Sequence, residues 1–109
     1  MNTKRLEQLN ALLEKRPEDP FLWHAKGLEL ARAGAWSDAL PLYQKAVALD
    51  EYHVGTYYHL GKAYEELDQL EAARDTYQKG IAIATALGDH HAKGELQTVL
   101  MLVEDDLEE

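Results

Sequence analysis

A single pattern of thirty-four residues is written twice between Trp23 and Thr85, and no other property of this 109-residue chain limits its fold as tightly. Trp23 returns thirty-four positions later as Tyr57, Gly27 as Gly61, Leu30 as Tyr64, Ala39 as Ala73 and Tyr43 as Tyr77. Ala46 returns as Gly80 and Leu49 as Ile83, so aromatic matches aromatic and small matches small throughout. Recurrence over this length requires each unit to bury its apolar face against the next, because one unit alone has too little core. Each half of the unit carries helical spacing, which predicts two helices per unit and an all-α chain.

Written out, the first unit reads Trp23-His-Ala-Lys-Gly27-Leu-Glu-Leu30, then Ala39 and Tyr43. The second reads Tyr57-Tyr-His-Leu-Gly61-Lys-Ala-Tyr64, then Ala73 and Tyr77. The pattern resembles that of the tetratricopeptide-repeat (TPR) family, in which an aromatic, a glycine and a second aromatic are followed by an alanine and a further aromatic. Departures from it include Lys26 in place of the leucine before Gly27, Leu30 in place of the second aromatic, and Glu51 and Thr85 in place of the closing prolines. The resemblance implies an all-α, right-handed superhelix of antiparallel helix pairs, about six helices in a single domain.

The expected division is a half-repeat helix over residues 3–16, repeats over 20–53 and 54–87, and a capping helix over 89–107. Leu6, Leu9 and Leu13 share one face of the first helix, which Pro17 stops. Leu9 is in phase with Tyr43 and Tyr77, which marks this helix as the second half of an incomplete unit. Pro20 suits a first helical position, and Gly34 suits the end of that helix. Pro41 lies near the start of its helix, where a tolerated local distortion is expected. Asp68 followed by Glu71 predicts a capping box, and Gly88-Asp89 a helix stop and restart. Beyond it, strict phase would bury Glu95 and Thr98. A slip of one residue instead places Leu96, Val99, Leu100 and Val103 on the inner face, as a cap requires.

Composition removes most function classes. Twenty acidic against eleven basic residues give a net charge of −9, with no basic patch for a phosphate backbone or an anionic membrane surface. Neither nucleic acid nor membrane is an expected partner. The chain has no cysteine, which excludes disulfides, thiolate metal sites and cysteine nucleophiles. No apolar run approaches the roughly 20 residues that span a bilayer, and the expected setting is cytoplasmic. Ser37, the only serine, sits at a helix start, where capping is its expected role. His90 and His91 point about 100° apart on a helix and cannot chelate together. His24 and His59, on first helices one residue out of register, suit solvated or groove-lining imidazoles. The pairs Glu65-Glu66, Asp105-Asp106 and Glu108-Glu109 read as solvated faces, and Trp36 reads as structural. No cofactor, metal or enzymatic reaction is expected.

The resemblance implies a concave groove that takes a peptide or protein segment on the first helix of each pair. Carried over by position, its residues are Phe21, His24, Leu28 and Arg32 in the first repeat, and Tyr58, Lys62, Glu65 and Glu66 in the second. Tyr58 is the most telling, because the repeat needs no aromatic there and tyrosine is a common interface anchor. The family's clamp for a carboxylate-terminated chaperone tail uses lysine, asparagine and arginine. Here the corresponding positions include His24, Leu28 and His59, with no asparagine, so a ligand of mixed character is expected. The main alternative is a self-associating structural or assembly subunit that docks through its terminal helices, a homodimer being the form considered.

Overall fold

The structure, a computed structural model, describes residues 2–109, and these form six α-helices with no strand among them. They are α1 (Thr3–Lys15), α2 (Pro20–Arg32), α3 (Trp36–Leu49), α4 (Gly55–Glu66), α5 (Leu70–Leu87) and α6 (His90–Leu107). Three belong to a compact unit that extends through residue 53, and three to a second unit over 54–109. None of the described helices is long and apolar enough to cross a membrane.

In the first unit α1 opens on Asn2, whose side chain accepts the Arg5 N–H at 3.0 Å. Its inner face buries Leu9 and Leu13 against Leu22 and Ala25 of α2, with Trp23 packed alongside. The chain then turns at Pro17, whose carbonyl accepts the Trp23 indole N–H at 2.7 Å. The proline that ends α1 thereby fixes the indole of the next helix. Asp19 caps α2 by accepting the Phe21 N–H at 3.0 Å, and Pro20 stands in the first turn, where its missing donor costs nothing.

Helices α2 and α3 form a hairpin whose axes approach closely at Gly27. A Cβ added there would lie 2.7 Å from Cε1 of Tyr43, a ring with no exposed surface. α3 runs through Pro41 as one element, with that residue on the exposed side. Its N-cap is Ala35, with no side-chain capping bond, and Ser37 is an exposed residue inside the first turn. The capping role expected of Ser37 is therefore corrected: the helix starts one residue before it.

The second unit repeats the hairpin with α4 and α5. Gly61 now faces Tyr77, and the approach is tighter than at Gly27. Gly80 of α5 sits where three helices converge, its Cβ position 2.7 Å from Cβ of Tyr57 and 3.0 Å from Leu96. α5 ends on Gly88 in the left-handed conformation (φ 70°), and Asp89 caps α6 by accepting the Ala92 N–H at 3.0 Å. α6 buries Leu96, Val99 and Val103 and leaves Glu95 and Thr98 exposed, the slipped register.

The capping box expected at Asp68 does not form. Gln69 is the N-cap of α5, without a side-chain bond, and Asp68 adopts φ 58°. The cause lies in the turn, since Gly34, thirty-four residues earlier, holds φ 78° at the equivalent place. This connection needs a left-handed residue, and in the second unit an aspartate fills the role. Asp68→Gly should relieve that strain and raise stability by about 0.5 kcal/mol, the gain being reduced by the greater freedom of glycine in the unfolded chain. A higher urea midpoint for the variant is the expected reading, and a lower one would contradict this account of the turn.

Candidate functional site

The sequence-derived residues of the second unit lie on α4, on the side that its core does not use. Leu60, Gly61 and Ala63 are buried, whereas Tyr58, Lys62 and Glu65 are half-buried and Glu66 is exposed. Tyr58 meets His59 edge-on, with ring centroids 5.4 Å apart and planes at 79°. Together they form one wall of a cavity of about 250 Å³, completed by Val54, Gly55, Ala92, Glu95 and Leu96. Leu96 and Ala92 supply an apolar floor, and the aromatic pair and the Glu95 carboxylate form the polar rim. At that rim His91 lies 3.2 Å from Glu95, one helical turn away. The site is thus an amphipathic hollow in the corner between α4 and α6.

Farther along α4, the carboxylate of Glu65 is drawn inward. It accepts a short hydrogen bond from the Tyr77 hydroxyl, and its other neighbour is the Lys62 ammonium at 3.7 Å. Burial, and then this hydrogen bond, push the Tyr77 phenol well above the usual tyrosine range. Glu65 therefore acts first as an internal acceptor that orients a core ring, and it neutralises Lys62 as well. The first unit has Ala31 at the equivalent position, which offers no side-chain acceptor. Its Tyr43 is pushed up to about 12 by burial, against the lowering influence of the Arg32 guanidinium.

In the first unit Phe21 is 62% exposed, while His24 and Leu28 are half-buried. The His24 ring lies 5.8 Å from Tyr43 and 5.4 Å from His53, centroid to centroid. Arg32 donates to Glu29 at 2.9 Å, and Arg5 of α1 reaches the same carboxylate oxygen at 2.8 Å. Glu29 is only 4% exposed, so its charge is held by two guanidinium groups in place of water. The second unit has Ala63 there.

Of the expected residues, the structure gathers Tyr58 into a walled site and ties Lys62 to Glu65. Arg32 is engaged by Glu29, which the repeat comparison passed over. Also passed over were Val54, Ala92, Glu95 and Leu96 as cavity walls. The slipped register of α6 was the one available signal for the last three. A wider hollow of about 640 Å³ lies between the start of α5 and Leu107. Its polar lining includes the carboxylates of Asp68, Glu71 and Asp75, which repel one another and offer no converging donors. Among the described residues no group of three histidine or carboxylate side chains is placed to hold a metal ion.

The tetratricopeptide repeat family model matches residues 30–94. Among solved structures, a tetratricopeptide repeat domain protein from Salinibacter ruber is 41% identical, with a TM-score of 0.76 over 80% of this chain and 97% of that one. The first TPR domain of Spaghetti (RPAP3), bound to an HSP90 peptide, is 19% identical, with a TM-score of 0.84 over 95% of this chain and 80% of that one. The TPR2B domain of yeast Sti1, in complex with pHsp70, is 15% identical, with a TM-score of 0.87 over 93% and 81%. The last two likenesses concern the fold alone. Comparison with curated protein sequences returned no match.

Proposed function

The chain belongs to the tetratricopeptide-repeat family, and we propose that it is a non-enzymatic cytoplasmic adaptor that holds a peptide or protein segment against the outward side of its first-of-pair helices. The observation that carries this reading is the hollow at Tyr58, where an aromatic ring the repeat does not require lines a cavity with an apolar floor. Such a hollow accepts one apolar side chain of a ligand, while the tyrosine hydroxyl and His59 serve the adjoining backbone. Structures of the same fold hold an HSP90 peptide in RPAP3 and pHsp70 in Sti1, which supports the use of this architecture for protein segments. Phe21, His24, Leu28 and Arg32 on α2, and Lys62, Glu65 and Glu66 on α4, are the proposed flanking contacts.

The ligand of this reading differs from an acidic chaperone tail. Arg32 and Lys62, the two cations among these residues, already face Glu29 and Glu65. Exposed Glu66 and Glu95 favour a basic group near the apolar anchor. Peptides selected from a random display library should therefore be enriched in an apolar residue close to lysine or arginine. Tyr58→Ala should weaken such a peptide by roughly tenfold or more, as for an interface anchor, with helical content unchanged. Affinity equal to wild type would remove Tyr58 and its hollow from the function.

A further inference from the structure

Two exposed helix stripes, one near each end of the chain, carry opposite charge at the same spacing. On α1 the outward stripe holds Lys4, Ala11 and Lys15, at i, i+7 and i+11. Leu12 stands beside it at 38% exposure, and Gln8, Ala11, Leu12 and Lys15 line a shallow concavity of about 410 Å³. On α6 the same spacing gives Glu95, Leu102 and Asp106, all exposed. Leu102 is 53% exposed and its neighbour Met101 56%, so apolar surface lies between the two acids. Residues at these intervals share one face of a helix, and each stripe extends about 16 Å.

From this match we infer that copies of the chain associate head to tail, with α6 of one copy laid against the outward stripe of α1 of the next. Aligned in parallel, Lys4 meets Glu95, Ala11 meets Leu102, and Lys15 meets Asp106. Leu102 then enters the concavity beside Leu12, and both lysines reach a carboxylate. The charge distribution selects this mode over a symmetric one. Residues 1–53 carry seven basic and eight acidic side chains, whereas residues 54–109 carry four and twelve. A symmetric contact through α6 would oppose two strongly acidic surfaces, since residues 104–109 contain five acids and no base. A contact between α1 and α6 instead joins unlike charges. Because its two surfaces differ, the contact leaves one of each unused and adds further copies. This inference shares only Glu95 with the groove reading; Lys4, Lys15, Leu102 and Asp106 lie outside the hollow, and the test uses no peptide.

The experiment is light scattering of the full chain across a wide concentration range, at low salt and at roughly 0.5 M salt, where charges farther apart than a few ångströms are screened. The mass should rise steadily past twice the 12.3 kDa of one chain at low salt and fall back toward one chain at high salt. Lys4→Glu with Lys15→Glu should weaken association at least about tenfold, and so should Glu95→Lys with Asp106→Lys. Mixed in equal amounts, these two charge-reversed proteins should associate again in alternating order, past two copies, since each α6 then meets opposite charge on α1 of the other protein. Leu102→Glu removes the apolar contact without touching the lysines and should also give single chains. All these side chains are exposed, and unchanged helical circular dichroism establishes that each variant is folded. A single chain at every concentration overturns the inference. So does a plateau at two copies, variants that associate like wild type, or a mixture that stays apart.

Discussion

Gly61→Ala should be among the most damaging single-methyl additions in this protein, with a loss of about 2 kcal/mol or more. On an exposed helix the same change gains nearly 1 kcal/mol in propensity. Here the new Cβ would fall inside the contact distance of the Tyr77 ring. That ring cannot retreat, because it has no exposed surface and its hydroxyl is tied to Glu65. The helices must separate or the hydrogen bond must break, and overpacking of this kind costs about 1–3 kcal/mol, occasionally more. Gly27→Ala meets Tyr43 at 2.7 Å and should cost less. Gly94→Ala on α6 meets nothing within 4 Å and should stabilise by about 0.5–1 kcal/mol. Urea denaturation of the three variants gives the order directly. A neutral Gly61→Ala would mean that the α4–α5 hairpin is looser than described.

The second large effect is a loss of stability in alkali. Both buried phenols, Tyr43 and Tyr77, hold their protons more tightly folded than unfolded, mainly because burial penalises the phenolate. Above the ordinary tyrosine value of 10.0 the unfolded chain releases protons that the folded chain keeps, so stability falls as pH rises. The contribution is fully present below pH 10.0. For Tyr43 it is lost by about pH 12, a change on the order of 2–3 kcal/mol. Tyr77 extends the decline to higher pH. Unfolding free energies measured from neutral pH upward should slope down from about pH 10, and Tyr43→Phe should reduce the slope. A flat profile would contradict the burial of these rings.

These effects separate what was legible in the sequence from what was not. The partnership of Gly27 with Tyr43, and of Gly61 with Tyr77, follows from the repeat, because position fixes which residues of two paired helices meet. The slipped register of α6 could also be read, since only one choice buries Leu96 and Val99. The bond from Tyr77 to Glu65 could not be read in this way. Its counterpart in the first unit joins Tyr43 to Ala31, so comparison of the repeats has nothing to compare. Glu29 was hidden for the same reason, because its two arginines come from different helices and Ala63 replaces it in the second unit. Asp68 was misread because an acid before a helix serves equally as a cap or as a left-handed turn residue. Only the backbone distinguishes the two. The hollow beside Tyr58 depends on how α6 lies against α4, a tertiary placement that spacing along one helix does not encode.

Amide chemical-shift mapping with a display-selected peptide tests the role of that hollow most directly. The shifts should centre on Val54 to His59 of the α4 region and on Ala92 to Leu96 of α6, and should vanish with Tyr58→Ala. Shifts centred instead on α1, or on the outward side of α6 near Met101, and unaffected by Tyr58→Ala, would contradict it.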